Sequence, residues 1–250
     1  MLLTAQPRSE WLSLFDQHTP DAPVLLALLS GQCPGVGFVD KIDHPSQAVV
    51  RALGGEMFAS VGCRDGFLNE SLKLASQLGP SFLIDSGIPE STAARGTAIE
   101  RIHFSNCDLT SDALRVLRQQ LPAHLDVRVL DRDLLACCPF AGQTLPKLYG
   151  EKLDSYFNFG YGICLARGES VVCEVYAGYV AEGFVEVIVG TVESHRGQGL
   201  ASVAGALFAD AARQRGHQLT WSTRVDNLGS IRLARRLGFQ HERSYRMIAL

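Results

Sequence analysis

A chain of 250 residues, 46% hydrophobic and 20% charged, has the make-up of a globular protein with enough material for one large core or two small ones. A net charge of −3 gives no general attraction to nucleic acid, which excludes DNA or RNA as an expected partner. The longest aliphatic run, Val24 to Leu29, is far too short to cross a membrane.

Met1 to Arg8 lacks the basic, apolar and small-residue regions of a secretion signal, so a cytoplasmic location is expected. The seven cysteines (33, 63, 107, 137, 138, 164 and 173) are odd in number and hold no CxxC pair, and the histidines are scattered. Reduced thiols filling a core fit this better than a disulfide framework or a metal site.

Ser9 is placed to cap a short helix running to Gln17, with Trp11, Leu12 and Phe15 turned inward. Val24 to Leu29 reads as a buried strand, and the glycines and prolines from Gly31 to Gly37 mark a turn into a further strand, Val36 to Val39. Ser46 to Leu53 is ambiguous. Strands are expected at Glu56 to Val61, Ser81 to Ile84 and Ala98 to Phe104, with a helix from Leu68 to Leu78 stopped by Gly79-Pro80. Thr110-Ser-Asp112 opens a helix that Pro122 closes, and Val127 to Leu130 is a strand. A short helix over Asp131 to Cys138 is followed by a loop around Pro139 to Pro146. Gly160 to Ala166 and Ser170 to Val180 alternate as a hairpin about Arg167-Gly-Glu169.

That hairpin leads into the stretch around which the chain is organised. Glu186 to Val192 is apolar and β-branched at almost every position, as in a strand buried on both faces. Arg196-Gly-Gln-Gly-Leu-Ala201 follows, and Ser202 to Arg215 then has helical periodicity, with Val203, Leu207, Phe208 and Ala211 on one face and Gly216 as its stop. A glycine-rich turn between a strand and a helix leaves backbone N–H groups unpaired at the positive end of the helix dipole, which suits a phosphate. No Lys-Ser or Lys-Thr follows the glycines, so a nucleoside-triphosphate loop is excluded. A dinucleotide fold fails on length: only 24 of the 250 residues follow Asp226, and Ser202 stands where its third glycine belongs.

The loop resembles the Arg/Gln-x-x-Gly-x-Gly/Ala motif of the GNAT superfamily of N-acetyltransferases. Asn227-Leu-Gly-Ser230 with Leu233-Ala-Arg-Arg-Leu-Gly-Phe239 resembles the last helix of that fold. Together with Trp221, Phe159-Gly-Tyr-Gly-Ile-Cys164 and Cys173-Glu-Val-Tyr176, these residues are similar to a GNAT subfamily that includes the zwittermicin A resistance acetyltransferase. The resemblance implies a GNAT fold over 125–250, a mixed and mostly antiparallel sheet flanked by helices. Residues 1–124 form an N-terminal α/β domain, open to being a degenerate copy of the same fold.

The resemblance also implies roles. The backbone of Thr191 and Val192 pairs with the pantetheine arm of acetyl-coenzyme A, and the N–H groups of Arg196, Gly197, Gln198, Gly199, Leu200 and Ala201 hold its pyrophosphate. Asn227 is a helix cap by type and position and a cofactor contact by resemblance, with Ser230 one turn on. Arg232, Arg235 and Arg236 are either a solvated helical face or contacts for the 3′-phosphate. Glu186 is the candidate base for the acceptor amine, against the alternative of an exposed carboxylate at a strand start. Subfamily members carry a second acid near Gly190, and many GNAT enzymes carry a tyrosine at Ala234 to protonate the leaving thiolate; this chain has neither. Tyr176, Tyr179 or Tyr245 are the candidates to replace it, and Cys173 is expected to be a core thiol. The expected activity is acetyl transfer from acetyl-CoA to the primary amine of a small molecule by direct attack, with a homodimer left open. The alternatives are a non-catalytic acyl-CoA sensor and an acetyltransferase acting on a protein amine.

Overall fold

A computed structural model describes residues 2–85 and 96–250. Its strands are β1 (Leu3–Ala5), β2 (Gly35–Val39), β3 (Ala48–Ala52), β4 (Glu56–Ala59), β5 (Phe82–Ile84) and β6 (Thr97–Cys107) in the first half of the chain. The second half adds β7 (Asp126–Val129), β8 (Gly162–Arg167), β9 (Ser170–Ala181), β10 (Phe184–Thr191), β11 (Gln218–Arg224) and β12 (Phe239–Ala249). The helices are α1 (Ala22–Leu29), α2 (Asp65–Ala75), α3 (Ser111–Gln119), α4 (Arg132–Leu135), α5 (Ala141–Tyr149), α6 (Leu153–Tyr156), α7 (Leu200–Gln214) and α8 (Leu228–Arg236).

All the strands join one mixed sheet in the order β1-β2-β3-β4-β5-β12-β6-β11-β10-β9-β8-β7. From either edge inward the pairing is the same: three antiparallel pairs, then a parallel pair, β4 with β5 on one side and β10 with β11 on the other. At the centre, β12 and β6 run antiparallel from Phe239↔Cys107 to Ala249↔Thr97. Two runs of six strands therefore repeat one plan, with their sixth strands exchanged: β6 lies against β11, and β12 against β5. The division expected after residue 124 falls between the two runs, and the exchange binds them into a single sheet.

Several local expectations are corrected. Val24 to Leu29 is not a strand but most of α1. Val24, Leu25, Ala27, Leu28 and Leu29 are all buried, so no polar face marks the helical period, and a short apolar run then fits either structure. Leucine and alanine favour the helix, and Pro23 sits in its first turn, where a missing N–H costs nothing. The expected loop around Pro139 to Pro146 is largely α5, which contains Pro146. Its N-terminus is held by the buried carboxylate of Glu174, which accepts from the Phe140 and Ala141 N–H groups at 2.8 Å each. Two charge-assisted bonds of this kind offset the proline's lost one. The first expected helix is a 3₁₀ turn over Ser9–Leu14 that still buries Trp11. The C-terminal tail is the central strand β12.

Two large cores flank the site. One gathers α7 and α8 against β8–β11, with Val203, Phe208, Trp221 and Leu237 inside. The other draws on both halves of the chain: α1, Phe58, Ile84, Tyr176, Tyr179, Tyr245 and Met247 share it. The end of α1 that begins at Ala22 is thereby brought next to β10, β11 and β12. Among the described residues, no helix is long and apolar enough to cross a membrane.

Candidate functional site

The sequence dictates the site at the point where β10 and β11 part. Their parallel pairing ends at Glu186↔Thr220, while β10 goes on pairing with β9 as far as Thr191↔Cys173. From Val187 onward one edge of β10 is therefore left open toward a cleft of about 650 Å³. Val189, Gly190 and Thr191 form one wall, Arg196, Gly197, Gly199, Leu200 and Ala201 another, and Asn227, Ser230, Arg232 and Arg236 the third. Divergence of two parallel strands at their C-terminal ends is where open α/β sheets place ligands.

The loop has the conformation its glycines allow. Gly197 and Gly199 lie at φ +76 and +77, in the left-handed region, and open space stands before both. Gly199 caps α7. Among the described residues, the N–H groups of 197–201 donate to no backbone carbonyl, and Gly197, Gly199, Leu200 and Ala201 line the cleft at the positive end of α7. Arg196 braces the turn through Nε to the Thr191 carbonyl at 3.2 Å, and Gln198 turns back to the Ser194 carbonyl at 3.3 Å instead of lining the cleft. Arg196, Arg232 and Arg236 make the lining basic, and no carboxylate is among the described lining residues. Arg235 is occupied elsewhere, in a bidentate pair with Glu242 at 2.7 and 2.8 Å.

Asn227 caps α8 by accepting from the Ser230 N–H at 3.1 Å, and Ser230 Oγ accepts from Trp221 Nε1 at 2.9 Å. Both residues line the cleft while also holding the helix. Val192 is a correction: its N–H donates to the Val172 carbonyl at 2.9 Å, so it faces β9 and not the cleft. By the alternation of an antiparallel ladder, Val189 and Thr191 turn their backbone groups to the open edge. A Cβ on Gly190 would come within 2.3 Å of the Phe140 ring, which closes that end of the cleft. Glu174, directly opposite Gly190 in register, fixes the Phe140 backbone.

Glu186 is not the exposed strand-start carboxylate its position allows. It is 8% exposed. Its Oε2 accepts from Thr220 Oγ1 at 2.6 Å and its Oε1 from the Ser222 N–H at 3.1 Å. Ser222 lies just past the last β10–β11 pair, so the carboxylate takes over a backbone donor that the diverging strand has left. Burial, then the nearby Asp21 carboxylate, push its pKa up to about 8, against the pull of Thr220, Arg101 and Ser222. A carboxyl poised there exchanges protons near neutral pH.

A polar cluster surrounds it, of which the sequence singles out Tyr245 alone. Tyr245 donates to Asp21 at 2.6 Å, Arg101 Nε donates to Tyr245 at 2.8 Å, and His103 Nδ1 stands 3.0 Å from Ser222 Oγ. These residues are isolated in sequence, and no spacing signal links them. Of the tyrosines considered as replacements for the absent one, Tyr179 donates to Glu56 at 3.0 Å and Tyr176 is fully buried; only Tyr245 joins the cluster around Glu186. Ala234 is buried in the core. Cys173 is a core thiol, its pKa pushed up to about 11 by burial.

Comparison with known proteins places this geometry. Residues 12–248 match a family model described as GNAT acetyltransferase. A relative from Bacillus subtilis (strain 168), "Uncharacterized N-acetyltransferase YdfB", is 26% identical over 126 residues. That match spans about half of both proteins, 50% of this chain and 48% of the relative. A GCN5-related N-acetyltransferase-like protein from Streptococcus suis 89/1591 superposes with a TM-score of 0.76 at 18% identity, over 97% of this chain and 98% of that one. A tandem GNAT protein from the clavulanic acid biosynthesis pathway superposes at 0.56 and 9% identity, over 100% of this chain and 98% of that one. At these identities the structural likeness is one of fold.

Proposed function

The chain belongs to the GNAT acetyltransferase family, and from that premise we propose that it transfers the acetyl group of acetyl-CoA to the primary amine of a small molecule. The observation that carries the reading is the strand-edge cleft itself, with unpaired N–H groups and arginines in its lining; the buried Glu186 carboxyl, of raised pKa, lies outside that lining, where the strands part. The donor set fits the coenzyme, with N–H groups and guanidinium groups for phosphates and an open strand edge for an amide-bearing arm. Bound acetyl-CoA supplies the acetyl group as a thioester.

In this reading Glu186, ionised and lying outside the cleft lining, takes a proton from the acceptor nitrogen through a water, and that nitrogen forms its bond to the acetyl carbon as the carbon–sulfur bond breaks. The sulfur leaves as thiolate and is protonated from solvent, since Ala234 offers no proton. The residues 197–201 hold the phosphates and Phe140 closes the cleft beside Gly190. The narrower likeness to the zwittermicin A resistance acetyltransferase supports a small-molecule acceptor, through Trp221, Asn227, Ser230 and the Leu233 to Phe239 ending.

Calorimetric titration with acetyl-CoA, followed by thiol-release assays across a library of amines, tests the proposal. Binding and turnover on one amine class are expected. Binding without turnover on any small amine would favour a second reading, an acyl-CoA sensor, for which the absent hydroxyl at Ala234 and the engaged Glu186 carboxylate speak. Turnover only on peptide amines would move the acceptor to protein, and no binding would remove the loop assignment.

A further inference from the structure

Asp21 is a buried carboxylate that the chemistry above leaves unused. It lies immediately before α1, 4% exposed and at φ 60, a left-handed conformation that few residues other than glycine, asparagine and aspartate adopt. From there its side chain reaches partners contributed by the far end of the chain. Ser222 Oγ donates to Oδ1, and Tyr245 OH donates to Oδ2 at 2.6 Å. Ser222 thus spans two carboxylates, its hydroxyl on Asp21 and its N–H on Glu186 at 3.1 Å.

We propose that Asp21 is a positioning residue of the acetyl-transfer site, which sets the orientation and basicity of Glu186 through Ser222 and through its own charge. The proposal rests on the reading of Glu186 as the base. Asp21 does not touch the cofactor cleft.

The groups around Glu186 decide the direction of the effect. Asp21 faces it from the loop before α1, Arg101 and His103 from β6, Thr220 and Ser222 from β11, and Tyr245 from β12. Tyr179 is its register partner on β9 and carries Glu56 behind it. Burial holds the His103 imidazole below its usual range, against the Asp21 charge. Arg101 and the donors on β11 favour ionised Glu186, while burial and Asp21 oppose it. Removing the Asp21 charge therefore lets Glu186 ionise at lower pH.

The test compares the full-length parent protein with Asp21→Asn and Asp21→Glu. Asparagine keeps the shape and tolerates the left-handed backbone. Acetyl-CoA affinity of Asp21→Asn is expected within twofold of the parent. Its acetyl-transfer rate should fall several-fold, and the midpoint of its kcat/KM profile should move down by about one pH unit. Asp21→Glu, which keeps the charge, should restore the parent midpoint. An unmoved midpoint in Asp21→Asn overturns the role of Asp21 while leaving the acetyltransferase reading intact. A parent protein that fails to bind acetyl-CoA overturns that reading, and this proposal with it. Should Asp21→Asn not fold, Ser222→Ala, which removes the hydroxyl on Asp21 and keeps the backbone N–H on Glu186, decides: a moved midpoint is expected, and an unmoved one overturns the role of Asp21.

Discussion

Glu186 carries two duties with opposite electrostatic demands. As an acceptor for the Thr220 hydroxyl and the Ser222 N–H it does best when ionised, yet burial and Asp21 make ionisation costly. Its pKa is about 8 in the fold against an ordinary carboxyl value of 4.5. The penalty for ionising it is absent below 4.5, grows as pH rises to about 8 and is then constant. Glu186→Gln removes a group that titrates, so its melting temperature relative to the parent should rise between about pH 5 and 8 and level off above that. Kinetically, the base form is populated only as pH approaches 8. The rate deficit of Glu186→Gln should therefore widen with pH up to that point, and a pH-independent deficit would assign the side chain a purely structural role. Chain position identified Glu186 as a candidate. Its burial and its partners depend on Asp21, Arg101 and Tyr245, which no local pattern links to it.

At the scale of elements, the strand–loop–helix unit of β10, 192–199 and α7 is self-contained. Two glycines in left-handed conformation turn the chain so that successive N–H groups converge before the helix begins. Gly199→Val tests the unit. Its Cβ meets nothing within 4 Å, so the strain is conformational, a β-branched residue at φ +77. A loss of about 1–2 kcal/mol in stability is expected, measured by denaturant titration, together with at least tenfold weaker acetyl-CoA binding. Unchanged affinity would mean that the loop does not hold the phosphates. This unit was legible in the sequence because everything it needs is contiguous: β-branched residues, then glycines, then helical periodicity. The identity of α1 was not, because a helix buried all round shows no polar face. Nor was α5, because the carboxylate that anchors its N-terminus lies 33 residues away.

At the scale of the molecule, the exchanged central strands join the two halves into one cooperative sheet. Residues 125–250 expressed alone would lack β6, leaving long edges of β11 and β12 unpaired. That fragment is expected to aggregate or stay unfolded and to bind no acetyl-CoA, by circular dichroism and calorimetry. A soluble, binding-competent fragment would show that the N-terminal half is dispensable for cofactor capture. The sequence alone determined the glycine loop between β10 and α7, the capped last helix and the family likeness, since each depends on neighbours within one or two turns of chain. Only the tertiary structure decided the strand exchange, the closing of the cleft by Phe140, and the cluster that ties Asp21 to Tyr245 across 224 residues. Those contacts are formed by pairing between distant strands, and the residues that make them have no local periodicity by which to be recognised.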